Sequence, residues 1–140
     1  AAKHGVPVIA DGGLKTSGDM VKALSAGAQS VMVGSLMSGT LETPGEVKGG
    51  KKQYRGMASK SAQQSWRGEL PKGMAAEGES TYVPCKGSAA NVVNELTGGI
   101  RSGMTYLGVD RVELMSEAAL FMEMSSNGMM ESMPHGLSGQ

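Results

Sequence analysis

The stretch Val6-Pro-Val-Ile-Ala-Asp-Gly-Gly-Leu-Lys-Thr-Ser-Gly-Asp19, followed by Ser30-Val-Met-Val-Gly-Ser-Leu-Met-Ser-Gly39, decides the fold. Pro7 to Ala10 is a short apolar run rich in Val and Ile. It reads as a buried strand, apolar on both faces, as in a parallel sheet. Asp11-Gly12-Gly13 ends it. Thr16 and Asp19 have the spacing of a capping box, with Asp in place of the usual Glu. Met20, Val21, Ala23 and Leu24 then recur at helical spacing, and Gly27 stops the helix. Ser30 to Val33 is a second strand, ended by Gly34-Ser35, and Leu36 to Ser38 starts a short helix. Two strands joined by one helix form a right-handed crossover, so they run parallel. Glycine-rich turns after both strands can aim backbone N–H groups at one shared point. An α/β barrel holds a phosphate in this way, at the loops after its last two strands.

The rest of the chain sets bounds. Its 140 residues suffice for one domain with a modest core. The 13 Lys and Arg balance the 13 Asp and Glu, and no basic run is interleaved with aromatics, which argues against a nucleic-acid partner. No apolar stretch is long enough to cross a bilayer, so no membrane partner is expected, and no signal-peptide pattern is present. Cys85 is the one cysteine, which excludes an internal disulfide and a cysteine metal cluster and fits a reduced, cytoplasmic setting. The 22 glycines fall at element ends and in small motifs, as turn and phosphate chemistry requires, rather than in low-complexity tracts. The 12 methionines read as adaptable core filler.

Downstream, Pro44-Gly45 is a turn, Gly49-Gly50-Lys51-Lys52 a hairpin tip, and Gln53 to Met57 a strand. Ala58 to Glu79 has no sustained period and reads as a mobile excursion with a helical turn at Lys60 to Trp66, of the kind that forms lids. Ser80 to Pro84 is a short strand. Ser88 caps a helix with Val92, Val93, Leu96 and Ile100 on one face, whose continuity Gly98-Gly99 challenges. Asp110 starts a short helix over Val112 to Met115, Leu120 to Met124 is a strand candidate, and Ser125 to Gln140 reads as an irregular polar tail. Two parallel strands with their helices cannot close a barrel, so the expectation is the end of something larger.

Several motifs occur in a fixed order: Val8-Ile-Ala-Asp-Gly-Gly13, Gly27-Ala28, Ser30-Val-Met-Val-Gly-Ser35, Glu42-Thr-Pro-Gly-Glu46, Tyr54-Arg-Gly-Met57, Glu77-Gly78, Val83-Pro-Cys-Lys-Gly87 and Gly98-Gly-Ile-Arg-Ser-Gly103. As an ordered set they resemble the C-terminal part of the IMP dehydrogenase/GMP reductase family, over nearly the whole chain. The resemblance implies an α/β fold, the C-terminal part of a (β/α)8 TIM barrel, in which residues 1–140 are one portion of a single domain. Residues 1–40 would be the phosphate-binding β/α units, 53–87 the flap and its flanking strands, and 88–140 the C-terminal helices and tail. It also implies hydride transfer between purine C2 and NAD or NADP through a cysteine adduct. The family's cysteine loop lies upstream of such a segment and has no match here; Cys85 reads as a plain thiol rather than the nucleophile.

The resemblance assigns roles residue by residue. Asp11 ends a buried strand, where an unpaired carboxylate would be costly, and by the resemblance it would accept from ribose hydroxyls, against a turn or helix-cap aspartate. Gly13, Gly34 and Ser35 match the phosphate cradle, against ordinary barrel turns, and Tyr54 matches a tyrosine whose phenol reaches the phosphate, against a strand-surface aromatic. Gly56 and Met57 match the flap entrance at the purine edge. Glu77 would accept from purine N1–H, against a solvated loop charge. Glu131 and Ser132 resemble a segment that in many relatives joins a neighbouring subunit's potassium site, but Met133 stands where a histidine is expected, with His135 two positions on. His4 and His135 otherwise read as surface residues.

Two activities share these features. Dehydrogenases of the family carry an Arg-Tyr pair in the flap that activates water. Lys60 to Glu77 contains Trp66-Arg67-Gly68 but no such pair, and the excursion is short, which favours a GMP reductase that converts GMP to IMP with NADPH. Tyr54-Arg-Gly-Met57 and Glu131-Ser132 favour IMP dehydrogenase, which oxidises IMP with NAD. The expected partner is a purine nucleotide monophosphate, GMP or IMP, in a homotetramer. A non-catalytic nucleotide-binding fragment and an unrelated flavin-dependent phosphate-binding barrel are the readings of other kinds, and the flap and Val83-to-Gly87 motifs argue against the flavin barrel.

Overall fold

The computed structural model describes residues 2–56, 64, 66, 68 and 80–132. Strand β1 (Ile9–Asp11) and strand β2 (Ser30–Met32) pair in parallel and are joined by helix α1 (Ser17–Ser25). β1 starts two residues and ends one residue later than its apolar run, Pro7 to Ala10, and β2 stops one residue short of Val33. Their entry is pinned twice: the Val8 N–H donates to the Gln29 side-chain carbonyl at 2.7 Å, and the Gln29 N–H donates to the Val8 carbonyl at 3.0 Å. The expected capping box forms. The Asp19 N–H donates to the Thr16 hydroxyl at 3.2 Å, and the Asp19 carboxylate accepts from the Thr16 N–H at 3.0 Å. The Lys15 N–H first, then the Thr16 hydroxyl, hold the Asp19 carboxyl below its ordinary pKa.

A short 3₁₀ turn, Ser35–Met37, follows β2. The chain then builds an antiparallel ribbon in the order β3 (Val47–Lys48), β4 (Lys51–Arg55), β5 (Ser80–Pro84). Gly49-Gly50 is the hairpin tip; Lys51 and Lys52 belong to β4 itself. The register Arg55↔Ser80 brings both ends of the intervening segment to one place. The expected helical turn at Lys60 to Trp66 falls largely outside the described residues.

Helix α2 (Ala89–Leu107) runs uninterrupted through Gly98-Gly99, with Ser88 as its cap and Gly108 in the left-handed conformation at its end. Packing explains Gly99 and Gly103, whereas Gly98 faces open space. A Cβ at Gly99 would collide with Ser17 of α1, and one at Gly103 would lie 2.6 Å from a Val21 methyl. Residues 17 and 21 face 99 and 103 at the same four-residue spacing, so two helices meet along a stripe without side chains. Met20, Leu24, Leu96 and, after a 3₁₀ turn at Val112–Leu114, the fully enclosed Met115 of helix α3 (Met115–Ala118) form the core. Leu96 is the most deeply buried member of the predicted α2 face, whereas Val93 is exposed.

Four expectations are corrected. β1 is not buried: Ile9 is 63% exposed and Asp11 is exposed, because among the described residues β1 pairs with β2 alone and nothing covers its other edge. The short helix at 112 is preceded by Arg111 at its cap position, not Asp110, and splits into a 3₁₀ turn and α3. Leu120 to Met124 forms no strand; it has no pairing partner among the described residues, and Leu120 and Met122 are almost wholly exposed. The tail is not irregular throughout, since Ser125 accepts from the Gly128 N–H and caps helix α4 (Ser126–Glu131).

Gly99→Ala gains up to about 1 kcal/mol of helix propensity and loses about 1–3 kcal/mol to overpacking. The expected net result is lower stability in urea unfolding. Adding Ser17→Gly should raise the stability of that variant; a single Gly99→Ala chain more stable than wild type would show that the stripe sets no helix separation.

Candidate nucleotide site

The register Ile9↔Ser30, Ala10↔Val31, Asp11↔Met32 ends β1 and β2 flush. Gly12 (φ +87°) and Gly13 (φ +75°) then turn in succession through the left-handed region, where a side chain would be strained. After β2, the internal bonds of the 3₁₀ turn start with the Met37 N–H donating to the Gly34 carbonyl at 3.0 Å. The N–H groups of Ser35 and Leu36 therefore lie outside the turn's own bonding. Asp11, Gly12, Gly13, Gly34 and Ser35 are all exposed. The two turns thus form one polar, donor-bearing surface at the carboxyl ends of parallel strands, with Asp11 at its edge as an acceptor. Asp11 is a solvated carboxylate here, so the cost expected for an unpaired acid at the end of a buried strand does not arise.

The segment after the 3₁₀ turn ties this surface to the ribbon. The Lys86 N–H donates to the Gly39 carbonyl and the Leu41 N–H to the Gly87 carbonyl, each at 2.8 Å. Gly39 fits so tightly that a Cβ would collide with the Pro84 carbonyl. The Lys86 ammonium reaches the Leu36 carbonyl at 3.3 Å. From β4, Lys52 is 2% exposed, and its ammonium donates to the carbonyls of Thr40 (3.0 Å), Leu41 (3.0 Å) and Thr43 (2.5 Å). Thr40 is buried beside it, with a hydroxyl that has no partner among the described residues. Glu42 points the other way: its carboxylate accepts from the Ala89 N–H at 2.7 Å, at the start of α2. That bond, foremost, holds the Glu42 carboxyl below its ordinary pKa, with help from its own N–H, Ser88 and the Lys52 charge.

Tyr54 lies two residues beyond Lys52, so pleating puts both on the same face of β4, and Tyr54 is half-buried there. Gly56 follows β4 and is also half-buried. Met57 and Glu77 lie outside the described residues. Glu131 ends α4 and Ser132 caps it; both are exposed, and the Ser132 hydroxyl donates to the Met129 carbonyl at 2.8 Å. Two such donors do not make a cation cage, and no cluster of three His, Cys, Asp or Glu occurs among the described residues. His4 is exposed, as expected. Cys85 is half-buried at the Gly49-Gly50 tip, where its N–H donates to the Gly50 carbonyl at 2.8 Å. A separate cavity lined by Leu24, Gln29, Val112 and Glu113 opens at the opposite end of β2. No described helix is long and apolar enough to cross a membrane.

Lys52 and Glu42 carry the site's supporting bonds, yet the sequence assigns neither a role, although Glu42 opens one of the ordered motifs. Lys52 is one of two adjacent lysines in a strand, and Glu42 one acid in a turn-rich stretch. Only the proximity of residues 40–43 to β4 and α2 gives them partners.

Paired glycine turns at the carboxyl ends of parallel strands define a segment of an α/β fold. Comparison with known proteins then gives the family. The model of the IMP dehydrogenase / GMP reductase domain matches residues 1–135, and the chain belongs to that family of oxidoreductases of purine metabolism. It is 45% identical to an inosine-5'-monophosphate dehydrogenase of Nitrosopumilus maritimus, covering 94% of this chain, and 44% identical to a GMP reductase of Leishmania major, covering 99%. It spans 30% of the length of each of these relatives. Among solved structures it superposes with a TM-score of 0.86 and 44% identity on a cysteine-to-alanine variant of GMP reductase from Trypanosoma brucei in complex with guanosine 5'-monophosphate, covering 99% of this chain and 30% of that one.

Because the folded pKa of Glu42 is lowered, its contribution to stability is complete above the ordinary carboxylate pKa and is lost as the pH falls through the folded value. Glu42→Gln should therefore melt below wild type at neutral pH, with the difference closing as the pH falls below the ordinary carboxylate range. A difference independent of pH would remove the charge at α2 from the account.

Proposed function

We propose that this chain is the C-terminal part of the (β/α)8 barrel of an NAD(P)-dependent purine nucleotide oxidoreductase, and that its own task is to hold the nucleotide monophosphate. The flush pair of glycine turns after β1 and β2 carries this reading, supported by the similarity to a reductase solved with guanosine 5'-monophosphate. In it, Gly13, Gly34 and Ser35 donate to the phosphate from backbone and hydroxyl, the Tyr54 phenol adds a donor from the ribbon, and Asp11 accepts from the ribose hydroxyls. The backbone of Gly56 and Met57 meets the purine edge, and the Glu77 carboxylate accepts from N1–H. The nicotinamide co-substrate supplies or accepts the hydride at purine C2; no described residue is assigned to it. Cys85 is half-buried in the ribbon, and the family's cysteine loop has no match here, so we assign the covalent step to a cysteine outside this segment. Glu131 and Ser132 would serve potassium only as two donors to a site shared with a neighbouring subunit, in a tetrameric, cytoplasmic enzyme.

Between the two activities, we favour reductive deamination of GMP: the C2–N bond breaks, NADPH hydride takes its place at C2, the departing amine takes a proton from solvent, and IMP, NADP⁺ and ammonia leave. No water attacks in that reaction, so the absence of an Arg-Tyr pair between Lys60 and Glu77 costs nothing. The second reading, IMP dehydrogenase, rests on Tyr54-Arg-Gly-Met57 and on the dehydrogenase relative at 45% identity.

The deciding assay uses enzyme in which this segment is joined to the rest of the barrel. NADPH consumption with GMP is expected; NADH formation from IMP and NAD instead would establish the dehydrogenase, and inactivity with both would leave a binding fragment. In the same enzyme, Asp11→Ala should weaken nucleotide binding by about 1–3 kcal/mol, the scale of a lost hydrogen bond to a charged group. Unchanged affinity in calorimetry would sink the ribose assignment.

A further inference from the structure

Lys52 is the only charged side chain buried among the described residues. No carboxylate pairs with it there. Its three N–H groups are all spent on backbone carbonyls, those of Thr40, Leu41 and Thr43. An ammonium held this way acts as a small cation in an oxygen cage, tethered to a strand by its aliphatic stem. Burying it is expensive, and a methionine of similar length would fill the same space without that cost.

The location of the cage suggests what the charge does. Thr40 is bonded back toward the phosphate turn: its N–H donates to the Met37 carbonyl at 3.3 Å, and the Met37 N–H donates to the Gly34 carbonyl at 3.0 Å. Ser38 closes the same turn twice, with its N–H (3.1 Å) and hydroxyl (2.6 Å) on the Ser35 carbonyl. Thr43 adds its hydroxyl to the Thr40 carbonyl at 2.7 Å. On the other side, Lys52 belongs to β4, and Tyr54 stands two residues on, on the same face. One cation thus joins the segment that ends in Gly34-Ser35 to the strand that carries Tyr54.

We propose that Lys52 is a positioning residue for the nucleotide phosphate: its caged ammonium sets the Gly34–Ser35 turn against β4, so that donors from both elements converge on one phosphate. This rests on the nucleotide reading of the site above. Loss of the charge takes a donor from three carbonyls, leaves those of Leu41 and Thr43 with none among the described residues, and releases the segment from the strand. The penalty then falls on the phosphate, which both elements touch, and spares the base and ribose.

The test compares GMP with guanosine, which lacks the phosphate, by calorimetry on the assembled enzyme. Wild type must bind GMP more tightly than guanosine; if it does not, the reading of the site fails independently of Lys52. Given that preference, folded Lys52→Met should lose about ten- to a hundredfold in GMP affinity, the scale of a displacement near 1 Å, with guanosine affinity unchanged. GMP affinity within about twofold of wild type, or equal losses for GMP and guanosine, would overturn the proposal. Lys52→Gln keeps amide donors for the carbonyls without the charge and serves if the methionine variant does not fold. A selective loss for GMP supports the proposal there too, and an unchanged GMP affinity overturns it.

Discussion

One buried ammonium and the three carbonyls around it hold the parts of this chain in relation. Residues 36–43 form no regular element beyond a single 3₁₀ turn, yet three elements attach to them. β4 attaches through Lys52, β5 and its continuation through the Gly39–Lys86 and Leu41–Gly87 bonds, and α2 through Glu42 and the Ala89 N–H. A backbone segment with so few internal bonds is ordered only if its polar groups find partners elsewhere. Lys52 satisfies three of its carbonyls from a single atom. The cost of burying the charge is offset only because every N–H is used. Glu42 works from the same segment in the opposite direction, so adjacent positions of one turn point a carbonyl at a cation and a carboxylate at a helix start.

Steric absence is the second constraint. Gly39 lets the segment lie against the Pro84 carbonyl, and Gly99 and Gly103 let α2 lie against Ser17 and Val21. The first closeness makes the Lys86–Gly39 bond possible. The second lets a small core built on Met20, Leu24, Leu96 and Met115 close around two helices. A chain with so little enclosed apolar surface depends on close backbone approach more than a larger domain does. The exposed β1 edge and the exposed run at Leu120 to Met124 show the same shortage from the other side.

Local signals read well where the local chain decides the outcome. The Thr16–Asp19 box, the Ser88 cap and the Gly49-Gly50 tip each depend on residues within a few positions, and each is present. Readings failed where distant contacts decide. Leu120 to Met124 has strand composition but no partner strand, and composition alone forms no ladder. Gly98-Gly99 weakens a helix in isolation, but Gly99 is favoured once α1 lies across it. Ser125 to Gln140 looked featureless because one serine cap and a few methionines make a weak pattern. The apolar run at β1 was read as buried because its composition is that of a covered strand; composition records what a strand can tolerate on both faces, not what is there to cover it.

By itself, the sequence determined the parallel β/α pair, the glycine turns that follow it, the family, and so the candidate roles of Asp11, Gly13, Gly34, Ser35 and Tyr54. These depend on order and spacing along the chain, which a sequence states directly. The tertiary structure alone decided that β1 and β2 end flush, that Tyr54 shares a face with a buried cation, and that Lys52 and Glu42 serve the segment between them. A lysine in a strand is ordinarily a solvated charge. It becomes a structural cation only when folding brings the Thr40, Leu41 and Thr43 carbonyls within hydrogen-bond reach of its Nζ, and no local pattern encodes that meeting.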